Sequence, residues 1–206
     1  MTTNPVFRIL TEDLGMPEDE ALSQLENNTL DLDGWGDVTD DILITIAENC
    51  AELTSINFNA CYNITNAGVM AIAENCAGLT TIFLCGFWNM TDATVTALAE
   101  NCAGLTNIRL GDCINITDTA IIALAENCVG LTDIYLGECY NITDAAIIAL
   151  AENCEYLKKI NCGSTKVSAT GRKLIQEVET RSKPPPLEEG WWMDDGTGPQ
   201  CKGMMN

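Results

Sequence analysis

Eleven cysteines and no histidine set the chemical range of this 206-residue sequence. Without histidine there is no Ser-His-Asp or Cys-His triad, no HExxH helix and no zinc-finger His ligand. The remaining reactive groups are thiols, and their spacing is regular. Cys50, Cys76, Cys102, Cys128 and Cys154 recur every 26 residues, and Cys61, Cys113 and Cys139 fall on a second phase of the same period. A disulfide framework needs no such period, and no CxxC pair marks a metal or redox site. The expected state is free, mostly buried thiols in a reducing compartment. Cys113 and Cys139 on adjacent strands would approach disulfide distance, but burial without a nearby base makes them core residues. Cys201 is the thiol expected to be exposed and reactive. The pairs Asp40-Asp41 and Asp194-Asp195 lack EF-hand spacing around them, so a solvated or capping role is expected rather than Ca²⁺ binding. No metal, cofactor or catalytic set is expected, and the chain reads as non-enzymatic.

Charge narrows the partners. Lys plus Arg is 10 and Asp plus Glu is 30, for a formal charge of −20. That argues against nucleic acid or an anionic membrane as ligand. No apolar run approaches the ~20 residues of a membrane span. The first ten residues lack the basic and apolar stretches of a signal peptide. An intracellular protein, cytoplasmic or nuclear, is the expectation.

The period itself defines the elements. Repeats begin at Leu53, Leu79, Leu105, Leu131 and Leu157, with a degenerate first copy from Asn27 to Glu52 and a degenerate last copy running to about Thr180. Each opens with Leu-x-x-Ile-x-Leu, as in Leu131, Ile134 and Leu136, where alternation predicts a short strand. Thr-Asp follows, as in Thr143 and Asp144. These residues predict an N-cap and a favourable charge at a helix start. Ala146, Ile147, Leu150, Ala151 and Cys154 then recur at helical spacing. Gly78, Gly104 and Gly130 come after the helices and suit a C-terminal stop. One strand and one helix cannot bury their own apolar side, but stacked copies can.

The consensus LTxIxLxxCxNITDxAIxALAENCxG resembles the cysteine-containing leucine-rich repeat over about residues 27–180. That subtype is familiar from F-box/LRR substrate-recognition subunits of ubiquitin ligases and from short relatives without an F-box. The resemblance implies an α/β solenoid, a horseshoe with a parallel sheet on the concave side and helices on the convex side. It also implies buried thiols facing backbone groups at Cys61, Cys113 and Cys139, and a protein-binding surface. Residues 1–26 carry neither the Leu-Pro start nor the Trp-rich end of an F-box. The resemblance therefore reaches the repeat and its binding habit, not ligase membership.

Three segments follow: an N-terminal cap over 1–26, the solenoid with its capping helix over 27–182, and a Pro/Gly/acidic tail over 183–206. Pro17 before Glu18-Asp19-Glu20 predicts the first turn of a cap helix. Leu174, Ile175 and Val178 predict a closing helix, ended by Pro184-Pro185-Pro186. Trp191-Trp192 is expected to fold back on the solenoid. Residues 1–52 hold one basic residue against thirteen acids, and 157–183 hold seven against two.

Against the constant repeat, three positions vary. The fifth reads Asn57, Phe83, Arg109, Tyr135 and Asn161, the eighth Ala60, Gly86, Asp112, Glu138 and Ser164, and the tenth Tyr62, Trp88, Ile114, Tyr140 and Lys166. Phe83, Arg109 and Tyr135 are expected side by side on the concave sheet, with Asp112, Glu138, Trp88 and Tyr140 around them. The fifth position is the stronger candidate and the tenth the weaker. Aromatics and arginine are common anchors of binding surfaces. The expected function is recognition of a protein partner with basic groups, with substrate presentation as one form of it. The alternative is a structural subunit that joins a complex through its acidic and basic ends. The Asn-x-Thr triplets headed by Asn27, Asn63, Asn89, Asn115 and Asn141 match the glycosylation sequon. The repeat explains them better, with Thr as N-cap and Asn bonded to the loop backbone of its own or the next repeat.

Overall fold

Leucine and isoleucine at two alternating positions give each repeat a buried stripe too narrow to stand alone. In the computed structural model, which describes residues 4–180, neighbouring stripes are joined into one sheet. Six parallel strands run β1 (Thr29–Asp31), β2 (Ser55–Asn57), β3 (Thr81–Phe83), β4 (Asn107–Arg109), β5 (Asp133–Tyr135) and β6 (Lys159–Asn161), in sequential order. The register steps by one repeat each time, so Leu30, Ile56, Ile82, Ile108, Ile134 and Ile160 stand abreast and buried. Leu32, Phe58, Leu84, Leu110, Leu136 and Cys162 form a second buried row two residues on.

Five ten-residue helices connect the strands and pack in chain order: α3 (Asp40–Asn49), α4 (Asn66–Asn75), α5 (Asp92–Asn101), α6 (Asp118–Asn127) and α7 (Asp144–Asn153). Thr65, Thr117 and Thr143 cap as expected, each accepting from the N–H two residues on. The helix ends differ from expectation. Cys50, Cys76, Cys102, Cys128 and Cys154 are the C-terminal cap residues, and Gly78, Gly104 and Gly130 do not take positive φ. The chain instead reverses through a turn in which Leu79 N–H donates to Cys76 C=O at 3.1 Å, a bond repeated from Leu105 to Cys102 and from Leu131 to Cys128. A turn closed this way needs no left-handed residue.

The ends are sealed by the chain itself. Before the first strand lie α1 (Pro5–Arg8), a π turn over Ile9–Asp13 and α2 (Glu18–Glu26), with Val6, Leu10, Met16 and Ala21 buried. Pro17 is the cap residue of α2 rather than its first turn. At the other end α8 (Ala169–Glu179) buries Ile175 and Val178, with Leu174 half-buried. Side chains also occupy the outermost strands. Asp31 N–H donates to Gln24 Oε1 at 2.7 Å, and Ile160 N–H donates to Glu179 Oε1 at 3.3 Å. Such edge strands are otherwise templates for pairing with another chain. Expectations for Pro184–Pro186, Trp191, Trp192, Asp194, Asp195, Cys201 and the boundary at 182 lie outside the described residues.

A carboxylate clamp ties each helix start to the next. Asp118 accepts from Thr143 N–H at 2.8 Å and from Thr143 Oγ–H. Asp40 does the same for Thr65, Asp92 for Thr117 and Asp144 for Ser168. The Asp after the cap Thr therefore does more than meet a helix dipole. In the first full repeat, which begins at Leu53, Asn66 replaces it and accepts from Thr91 N–H and from Thr94 Oγ–H at 2.7 Å. Opposite Asp40 the next helix has Gly68, where a Cβ would stand 2.6 Å from Asp40 Oδ1. Gly68 N–H donates to that oxygen instead. Removing a half-buried acceptor of two bonds costs about 1–3 kcal/mol. Asp118→Ala should lower unfolding stability by that amount in urea. Asp41→Ala, an exposed residue of the same acidic run in α3, should stay within about 0.5 kcal/mol.

Candidate functional site: the outward row of the sheet and its rim

Strand geometry sends the residue after each buried isoleucine to the outer face. Asp31, Asn57, Phe83, Arg109, Tyr135 and Asn161 accordingly lie in one register across the six strands. The predicted neighbours Phe83, Arg109 and Tyr135 are thus brought together, but not all are presented. The Arg109 guanidinium lies 4.6 Å over the Phe83 ring, and Phe83 is only 6% exposed. A delocalised cation on an aromatic face is an attractive contact, so Phe83 supports Arg109 rather than facing solvent. Tyr135 is half-buried and folds back over Gly137, where a Cβ would come within 2.7 Å of its hydroxyl. Burial, followed by the nearby charges of Asp112 and Glu138, pushes the Tyr135 phenol up.

The eighth position is a left-handed corner. Gly86 adopts φ 88°, while Ala60, Asp112, Glu138 and Ser164 adopt φ of 57–63° without being glycine. Asp112 and Glu138 sit one repeat apart at this corner, half-buried, and each acts on its neighbourhood. Burial first, then the charge of Glu138, raises the Asp112 carboxyl. Hydrogen bonds from Ser164 and Tyr140 hold the Glu138 carboxyl low, the Tyr140 hydroxyl donating at 2.6 Å.

The fifth and tenth positions differ in exposure. The tenth is the more open: Tyr62 is 63% exposed, Trp88 58%, Tyr140 45% and Ile114 38%. Tyr62 and Trp88 have ring centroids 6.3 Å apart, tilted by 41°. These side chains follow the corner, so they stand on the rim where the sheet face has ended. Alternation places a strand residue on a face, but a loop residue's direction depends on the corner's left-handed turn. Asp31 and Asp33 extend the acidic face into the first copy, where burial and then Asp31 raise the Asp33 carboxyl. Extending the 26-residue alignment one copy earlier, from Asn57 to Asp31, was the signal for them.

The repeated cysteines face inward. Cys61, Cys113 and Cys139 donate to the carbonyls of Leu32, Leu84 and Leu110 in the preceding repeat, at 2.9, 3.3 and 3.0 Å. The other phase forms its own chain, Cys102 donating to Cys76 C=O and Cys128 to Cys102 C=O. The triplet asparagines also bond backward. Asn63 donates to Gly36 C=O, Asn115 to Trp88 C=O and Asn141 to Ile114 C=O. This corrects the expected partner, which was the asparagine's own or the next repeat. Among the described residues no group of His, Cys, Asp and Glu is placed to hold a metal ion, and no helix is long and apolar enough to cross a membrane.

With buried strand rows, a ladder of sequential parallel strands and an outer helix per repeat, the chain is an α/β leucine-rich-repeat solenoid. Among solved structures it is similar to a chain in the crystal structure of the Rad7 and Elc1 complex in yeast. The TM-score is 0.60 at 22% identity, covering 68% of this chain. The match spans 37% of that chain, so the likeness is one of fold over part of its length. No family model and no curated protein matches the sequence.

Burial raises the thiols of Cys61, Cys128 and Cys139 to about 12 from an ordinary value of 9.0. A group raised by folding holds its proton longer in the native state, so that stability is complete below pH 9 and is lost as pH climbs towards 12. The urea midpoint should therefore fall between pH 9 and pH 11. At pH 8 these thiols should resist iodoacetamide until urea is added, as read by mass spectrometry.

Proposed function

We propose that this protein is a non-enzymatic recognition module that binds a partner protein with the outer face and rim of its sheet. The observation that carries the reading is the contrast between buried and outward positions. The rows facing the core repeat almost unchanged, while the fifth, eighth and tenth positions hold Arg109, Tyr135, Asp112, Glu138, Trp88 and Tyr140 at neighbouring strands. Strands ~4.8 Å apart set these side chains in a row, with aromatic and arginine anchors of the kind that dominate binding energy. The excess of acid favours a partner with basic groups. The buried thiols, free at Cys61, Cys76, Cys102, Cys113, Cys128, Cys139 and Cys154, suit a reducing compartment such as the cytoplasm or nucleus. Presentation of a substrate to a ubiquitin ligase is the finer form of this role, supported by the repeat's likeness to F-box/LRR subunits.

The other reading makes the chain a structural subunit that meets its neighbours end to end. Gln24 and Glu179 occupy N–H groups of the outermost strands, so such a contact would run through the acidic and basic side chains of the ends rather than through strand pairing. Affinity capture from native extract separates the two. An Arg109→Glu, Tyr135→Ala double variant, folded by circular dichroism, should lose partners that wild type retains. Partners kept by this variant and stripped by salt would instead support assembly through the charged ends.

A further inference from the structure

Among the described residues, the tenth-position row is the largest group of exposed apolar side chains that shares one place in the fold. Tyr62, Trp88, Ile114 and Tyr140 come from four consecutive repeats and line the rim beyond the sheet. Single exposed apolar residues are ordinary, but an aligned row marks an interaction surface. The charge around it names the occupant. From residue 9 to residue 157 there are twenty-four carboxylates and one basic side chain, Arg109, which lies on Phe83. Beside the row stand Asp112 and Glu138, with Glu138 tied to Tyr140 by the phenol's hydrogen bond. Aromatic faces next to carboxylates suit arginine over lysine, since a planar guanidinium stacks on a ring and pairs with a carboxylate at once. Arg109 on Phe83 is the same contact made within the chain.

Resting on the recognition reading above, we propose that the rim row Tyr62–Trp88–Ile114–Tyr140 is the docking site for an extended, arginine-bearing segment of the partner, lying across the repeats. The lengths agree. Three repeat steps of ~4.8 Å span ~14 Å, and in an extended segment residues i and i+4 are ~13 Å apart on one face. Arginines at alternate positions thus meet the Tyr62–Trp88 pair at one end and Tyr140 with Glu138 at the other.

The probe is a fluorescein-labelled Gly/Arg peptide with arginine at alternate positions, read by fluorescence anisotropy against Lys-for-Arg and Glu-for-Arg versions. The expected result is binding in the order Arg, Lys, Glu. A Trp88→Ala, Tyr140→Ala variant should bind the Arg peptide at least tenfold more weakly. An Asp112→Asn, Glu138→Gln variant should lose affinity and show a shallower salt dependence. A Glu126→Gln, Glu152→Gln variant removes two exposed carboxylates from α6 and α7 with the same change in net charge, and it should bind as wild type does. Equal loss in that control and the Asp112/Glu138 variant would reduce the effect to net charge and overturn the proposal, as would an unchanged Trp88/Tyr140 variant. Failure here leaves the recognition reading standing if the Arg109/Tyr135 variant still loses its captured partners. Both fail if those partners are kept as well.

Discussion

Everything in this molecule depends on the bond a residue makes with its counterpart 26 positions away. A three-residue strand and a ten-residue helix have too little apolar surface to fold alone. Their backbone and side-chain polar groups are answered by the neighbouring copy. Strand pairs with strand, Thr80 and Thr106 donate to the carbonyls of Thr54 and Thr80, thiols donate to carbonyls, and Asp holds the next helix cap. Stability in such an array comes from repeat interfaces as much as from repeats. That is why the buried positions are so nearly constant. A side chain there must fit both the copy before it and the copy after it.

The same constraint explains what the outward positions can do. Stacking builds a continuous face and rim. Chemistry that needs a desolvated nucleophile would have to draw on the thiols, yet burial pushes these away from the thiolate and turns them towards carbonyls. What the face has in quantity is aromatic surface, carboxylate and one stacked guanidinium. Such groups, set in a row by the stacked repeats, suit recognition of an extended partner.

The two ends answer a separate problem. A parallel sheet built by repetition has no natural stop, so its last strands would accept further copies. Here α2 and α8 close the apolar core, while Gln24 and Glu179 reach edge-strand N–H groups. The carboxylate clamp also continues into the C-terminal cap, where Ser168 takes the place of the threonine and Gly171 leaves room for Asp144. The cap is thus read by the last repeat as another copy of itself.

The period, the alternation of Ile134 and Leu136 and the helical spacing from Ala146 to Cys154 determined the fold, because each reports a buried face directly. The register followed from the same period, so the row of Phe83, Arg109 and Tyr135 was legible too. Three things were decided only by the tertiary structure. Arg109 turned onto Phe83 and covered it, because a cation in an acidic face is drawn to the nearest aromatic ring as well as to solvent. Asn63, Asn115 and Asn141 of the Asn-x-Thr triplets bonded to the preceding repeat, because the corner before them points their amides back along the stack. The tenth-position side chains opened onto the rim, because a left-handed residue two positions earlier turns the chain out of the sheet. A sequence period shows which residues are equivalent; the direction of a side chain at a corner is set by backbone torsion and by the neighbour it meets.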